Sequence, residues 1–404
     1  YGGTTSALGF KSEGTNFTGS LLIGHSTTGV ISSAQYNTGI GIAALDALTS
    51  GDHNTAIGQQ AGSAITTGIQ NTLIGSLAGK TLNIGNYNVA VGTQALATED
   101  GHGHNVAIGR RALYTLNAGT DAYNVAVGSS AGESITTGVY NTILGGLAGD
   151  ALTTGNSNIA IGLNALGGED TGHDSVAIGR SALLSQNYDG SAYNVAIGRD
   201  AGRLVDTGIK NTIIGGLAGD NLTTGSNNIL IGYDATASAV DVSNEVTIGD
   251  SNISTVRIPS DSTLKIGASG DLQLEHLSSN SFIKNTAVGD LYIENQVDDA
   301  SIIFRCDDGS GGLDTYFSIV GAGNRVQYNK NLRLIDNIEL SLGSSDDLKI
   351  RHNGTHSLIE NHTGDLFITN YNNDSDIIFR SDDGSGDVTE YFRLDGSQAT
   401  HDGS

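Results

Sequence analysis

Cysteine and proline each occur once in the 404 residues, and methionine and tryptophan do not occur at all. One cysteine excludes a disulfide scaffold and a thiolate metal site. Near-absence of proline, with no glycine at every third place, excludes collagen. No apolar run reaches about 18 residues, so no helix is expected to cross a membrane. Basic residues are few: 19 against 43 acidic ones, for a net charge of −24. Such a chain repels phosphate backbones, and nucleic acid is not expected as a partner. Aromatics make up only 5%. Without methionine, Tyr1 is not a translation start, and the chain is expected to be a processed product or a fragment.

What is abundant is glycine, with 58 residues, about twice the usual share. An apolar residue followed by glycine recurs from Gly24 through Gly41, Gly58, Gly75, Gly92, Gly109, Gly128, Gly145, Gly162, Gly179, Gly198, Gly215 and Gly232 to Gly249. Eleven of the 13 intervals are 17 residues, and those ending at Gly128 and Gly198 are 19. A second period of 70 residues relates the segments starting at Asn54, Asn124 and Asn194. Alanine stands three residues after the glycine in twelve successive units, from Ala44 to Ala235. Asparagine stands four before it in eleven, among them Asn54, Asn71, Asn105, Asn141 and Asn211. At the next site leucine and glycine alternate in pairs, as at Gly62, Gly79, Leu96 and Leu113.

Each unit holds one short β-branched run, such as Asn105-Val106-Ala107-Ile108, that ends at glycine. This reads as a strand leaving into a tight corner. One such strand cannot bury its face, so units must stack. The expected fold is all-β: a parallel β-roll or β-solenoid with strands about 4.8 Å apart and a coil about 60 Å long. Alanine suits a narrow interior. The asparagines are expected to form a ladder at a corner, where they would also tolerate left-handed backbone. The last two residues before each glycine are mostly apolar, as at Leu73-Ile74 and Ile213-Ile214. Neighbours on a strand face opposite ways. One face therefore looks into the coil and the other toward a second subunit, most simply in a homotrimer of parallel coils. The alternative is a monomeric solenoid with small exposed alanines.

The chain divides into a connector over 1–23, the β-roll over 24–250, a junction over 251–263 around Pro259, and two β-rich repeats over 264–327 and 328–404. In these repeats Asp271-Leu272-Gln273-Leu274 parallels Asp347-Leu348-Lys349-Ile350, and Ile302-Ile303-Phe304-Arg305 parallels Ile377-Ile378-Phe379-Arg380. Alternating apolar and polar residues split by Gly, Asp and Asn read as strands.

The rung Asn105-Val106-Ala107-Ile108-Gly109, with Ala112-Leu113, resembles the head repeat of trimeric autotransporter adhesins over residues 20–250. That resemblance implies a left-handed parallel β-roll with three chains side by side. The rungs are longer than the usual adhesin repeat, and neither a heptad stalk nor membrane-anchor strands appear after the head. Residues 260–404 instead resemble the C-terminal repeats of bacteriophage tail fibres, particularly of marine phages, through Asp347 to Gly354, Leu358-Ile359-Glu360-Asn361 and Gly364-Asp365-Leu366-Phe367-Ile368. This resemblance implies a trimeric virion tail protein, extracellular, contacting other tail proteins and a host cell-surface glycan or protein. It also implies a C-terminal chaperone segment lost after folding, with which an end at Ser404 is compatible. A bacterial cell-surface adhesin or extracellular fibre subunit is the alternative.

Candidate chemistry is sparse. Gly128-Ser129-Ser130-Ala131-Gly132 matches G-x-S-x-G, but sister rungs put Gln60, Leu77 and Asp200 at the place of Ser130, and no strand–turn–helix is expected there. Gly75 to Thr81 falls one residue short of a phosphate loop. His102 and His104 are the candidate metal ligands: around a threefold axis they would supply six imidazoles. The equivalent loop 70 residues on keeps only His173, so exposed loop histidines are the simpler reading. Asp307-Asp308-Gly309-Ser310-Gly311 and Asp382-Asp383-Gly384-Ser385-Gly386 offer calcium-like oxygens, yet Asp-Gly is ordinary hairpin chemistry. Cys306 is replaced by Ser381 in the second copy. A polysaccharide-cleaving spike would need paired carboxylates in a cleft and aromatics to hold sugar. The expectation is a protein that is not an enzyme, without cofactor or committed metal.

Overall fold

The computed structural model describes residues 10–14, 17–24, 31–257, 263–267, 271–277, 280–286 and 289–398. Pro259 lies outside them. The protein is all-β, and among the described residues helix is confined to two single 3₁₀ turns, Gly321–Gly323 and Gly396–Gln398. Among the described residues no helix is long and apolar enough to cross a membrane. The chain forms two compact units, 1–257 and 258–404.

The first unit is a parallel β-solenoid. Strands β1 (Phe10–Gly14) and β2 (Phe17–Ile23) pair antiparallel, and β2 then joins thirteen three-residue strands, β3 (Thr38–Ile40) to β15 (Val246–Ile248), in one 15-stranded sheet. Residues 10–23, expected as a connector, thus contribute the first strands of the sheet. Leu22 is fully buried beside Gly39, where a Cβ would strike its side chain. The strands stack in register: Ala90 faces Ala107, which faces Ala126. The two 19-residue intervals leave this register intact, since Ala107 and Ala177 still face Ala126 and Ala196. The extra residues go into loops.

Each coil strand from β3 to β14 runs into a glycine whose backbone and surroundings disfavour any side chain. From Gly41 to Gly232 these glycines hold φ between +128° and +144°, a region nearly closed to side chains. Space forbids substitution as well: a Cβ on Gly92 would lie 2.5 Å from the carbonyl oxygen of Gly109 in the next rung. Inside, the strand's middle residue and the alanine after the corner are fully buried, as at Ala107 and Ala112. The paired Leu/Gly alternation is a volume rule. A Cβ on Gly79 would lie 2.8 Å from Leu73, and one on Gly149 would lie 3.0 Å from Ile143. Leu96 and Leu113 fill the rungs whose strand centres are Ala90 and Ala107.

The asparagines form the expected ladder. Asn71 N–H donates to Asn54 Oδ1 at 3.1 Å, and Asn88 N–H to Asn71 Oδ1 at 3.0 Å. Their amides donate sideways, Asn71 Nδ2 to the Gly85 carbonyl at 2.9 Å. All are buried, so each ladder bond satisfies a backbone group that water cannot reach. The left-handed residue is not asparagine, however. It is the residue just before it, as at Tyr36, His53, Tyr87 and Tyr123, with φ between 51° and 60°. At Ser175 the ladder is interrupted, and Gln186 bridges the gap: its Nε2 donates to Ser175 Oγ, and its Oε1 accepts from Asn194 Nδ2, both at 2.9 Å.

The second unit is a set of small antiparallel sheets. Strands β16 (Thr263–Ile266), β17 (Leu272–Leu277) and β18 (Asn280–Asn285) form one, and β19 (Ile302–Asp307), β20 (Leu313–Val320) and β21 (Arg325–Tyr328) the next. Strands β22 (Glu339–Leu342), β23 (Leu348–His352) and β24 (Ser357–Asn361) form a third, and β25 (Ile377–Asp382) and β26 (Val388–Leu394) a hairpin. The β19–β20 and β25–β26 pairs carry irregularities at Phe304/Arg305 and Phe379/Arg380, positions that the sequence aligns. No apolar side chain described in this unit is buried.

Candidate functional site

Three surfaces of the coil offer chemistry. The first is the outer face of the sheet. The third residue of each three-residue strand points outward, and at Ile40, Ile57, Ile74, Ile108, Ile197, Ile214 and Ile231 it is 37–38% exposed. In-register pairing lines these residues into one apolar strip along the sheet. The strip exists because the strand keeps apolar residues on both faces while the coil interior accepts only one of them.

The second surface is the corner that precedes the asparagine ladder. Its left-handed residues point outward and stack: Tyr87 on His104 at 4.9 Å between ring centroids, His104 on Tyr123 at 4.6 Å, and Tyr123 on Tyr140 at 6.0 Å. Tyr36 stacks on His53 at 4.8 Å. Rung spacing sets these distances, because it is close to the spacing of stacked rings. The faces contact one another, so solvent meets ring edges and hydroxyls. Sequence reading noted few aromatics and missed this ridge, although its signal was present: tyrosine recurs at one place in the 17-residue register.

The third surface is the pair of widened loops together with the rung before each. Glu99 and Glu169 occupy the interior place held by Leu82, Leu116, Ile135 and Leu152 in other rungs, and both are fully buried. Each carboxylate gathers backbone N–H groups around the loop. Glu99 Oε1 accepts from Gly101 and His102 at 3.2 and 3.0 Å, and Oε2 from Ala118 at 3.3 Å. Glu169 Oε1 accepts from Asp170 and Gly172 at 3.1 and 2.7 Å, and Oε2 from the Gln186 amide at 2.9 Å and Tyr188 N–H at 3.4 Å. Ala118 and Tyr188 belong to the lengthened stretches, so the glutamates hold N–H groups that a uniform rung would not present. A charge at an apolar register position was the unused sequence signal.

The two candidate histidines have different neighbours. His104 is committed to the tyrosine stack. His102 Nδ1 lies 3.4 Å from Glu99 Oε1. Ser130 is a nearly buried corner residue with φ +57°, its N–H bonded to Arg110 O at 2.8 Å, and Gln60, Leu77 and Asp200 repeat its left-handed backbone. The aspartates of the C-terminal turns cap their own loops. Asp308 Oδ1 accepts from Ser310 N–H, Ser310 Oγ–H and Gly312 N–H, and Asp383 Oδ1 from Ser385 N–H and Oγ–H. These bonds, the serine hydroxyl first, hold both carboxyls below the usual aspartate value. Asp150 shifts the other way: partial burial raises it, with a smaller push from Glu133. Cys306 is exposed and free.

Comparison with family models, with curated proteins and with solved structures finds no match to this chain.

Proposed function

We propose that the chain is a non-enzymatic fibre protein of a bacteriophage tail, a homotrimer that serves as structural rod and host-surface attachment element. The observation that carries the reading is the uncovered apolar surface. Ile, Val or Leu faces outward at every rung of the coil, and the C-terminal sheets leave Phe304, Tyr316, Phe379, Tyr391 and Phe392 exposed in a single chain. Exposed apolar residues aligned along a sheet mark an interface, and a sister chain carries the same surface in the same repeat. The resemblance of residues 260–404 to tail-fibre repeats supports the phage assignment. Attachment would work by multivalency: three copies of each loop and of each tyrosine ridge raise effective concentration without strong single contacts. The host-side partner would be a surface glycan or protein, and the other partners would be neighbouring tail proteins.

A bacterial cell-surface adhesin is the second reading, favoured by the adhesin-like rung Asn105 to Gly109. Labelled antibody viewed by electron microscopy separates the two. Decoration of virion tails supports the first, and decoration of cell envelopes alone rejects it. Trimerisation predicts a native mass of about 124 kDa, three times the 41.4 kDa chain. A 41.4 kDa particle would reject the homotrimer.

A further inference from the structure

The geometry points to a divalent transition-metal site formed by Glu99, Asp100 and His102 in the rung beside the first widened loop, a site independent of what the fibre attaches to. One ligand atom from each residue lies within 4.8 Å of the others. His102 Nδ1 is buried and has no hydrogen-bond partner. It stands 3.4 Å from Glu99 Oε1, long for a hydrogen bond. It is, however, the separation of two ligands about 2.1 Å from a tetrahedral zinc ion, about 3.4 Å. Glu99 is fully buried, while Asp100 is exposed and free to close over an ion from the solvent side.

The second widened loop serves as an internal control. There Glu169 has the side-chain amide of Gln186 as a fixed neutral partner. At the first loop the corresponding residue is Leu116, which offers no donor. In place of His102 the rung beside the second loop has Gly172, and a Cβ there would lie 2.5 Å from the Glu169 carboxyl carbon. One copy satisfies its buried carboxylate with an amide. The other leaves that side apolar and points an unpartnered imidazole nitrogen at the carboxylate. Imidazole with two carboxylates suits zinc and its first-row neighbours rather than calcium, which prefers an all-oxygen shell.

The test uses the full-length protein, freed of metal by a chelator and dialysed against Zn²⁺. The expected result is one saturable ion per chain, with affinity falling at least about tenfold in His102→Gln and in Asp100→Asn, and unchanged in His104→Gln. Co²⁺ substitution in the wild-type protein should give the intense visible absorption of a tetrahedral ion, which reports on the site even where a variant folds poorly. Absence of saturable uptake, an octahedral Co²⁺ spectrum, or a folded His102→Gln protein that binds like wild type would overturn the assignment.

Discussion

Residues 31–257 bury a continuous column of alanine, leucine and isoleucine within one chain, whereas residues 263–398 bury no apolar side chain among those described. Both regions are rich in short strands and glycine turns. The difference lies in closure. A rung folds back on itself, so the strand's middle residue meets the alanine and leucine of its own turn and the next. A hairpin has two faces and nothing within its own sheet to cover either of them. The coil therefore carries its stabilising burial inside the chain, and the described C-terminal sheets show no such burial of their own.

The largest expected effect is at a rung glycine. Gly92→Val combines a Cβ contact of 2.5 Å with a φ of +131°, and should cost about 4 kcal/mol or more. The C-terminal counterpart Gly384→Ala, with φ +85° and open space around it, should cost only about 1–2 kcal/mol. Thermal unfolding of both variants measures the contrast. Next comes Leu73→Ala, which empties a fully buried site and should cost about 2–5 kcal/mol at any protein concentration. Under the proposed trimeric assembly, Phe379→Ala should instead act between chains, lowering the oligomer's mass on dilution. Equal effects of the two at all concentrations would contradict the division.

Asn141→Ala strands the Asn158 N–H and the Gly155 carbonyl, which Asn141 partners at 3.0 and 2.8 Å. Two buried orphans should cost about 2–4 kcal/mol. Asn361→Ala removes a 2.7 Å bond to Gly364 O on the exposed surface, where water replaces it, and should change stability by under about 1 kcal/mol. The smallest effect is that of acid. Glu360 is held below its ordinary value of 4.5 mainly by its hydrogen bond from Arg351, and Glu275 likewise by Lys284. Stabilisation from such groups is complete above the unfolded value and lost as pH falls through the lower folded one. Asp150 in the coil is raised above 3.8, so its penalty exists at neutral pH and is relieved as pH falls toward that value. Backbone resonances followed from pH 5 downward should show the C-terminal sheets weakening before the coil does.

Much of the coil was legible because stacking forces one residue type on one place. The glycine, alanine and asparagine registers are each explained by a contact with the adjacent rung, and a repeated contact leaves a repeated letter. The expected left-handed asparagine was displaced by one residue, because Asn71 spends its side chain on the ladder while Tyr87, before Asn88, takes the φ of +60°. The segment 10–23 carried only the first end of the repeat, at Ile23 before Gly24, yet it adds two strands to the sheet. His102 and His104, the candidate ligand pair of the sequence, have different surroundings within one chain. Their rings serve Glu99 and the tyrosine stack respectively, since alternate residues of an extended loop face opposite ways.

The amino-acid order alone determined the period, the all-β class and the small alanine of the interior, because each depends on steric rules that act the same way at every rung. Only the folded chain decided what the exceptions do. Glu99 breaks the pattern as a single letter, and its meaning comes from Gly101, His102 and Ala118, brought around it by the turn of the coil and the loop of the next rung. A buried charge is defined by the donors within reach, and those donors are neighbours in space rather than in register.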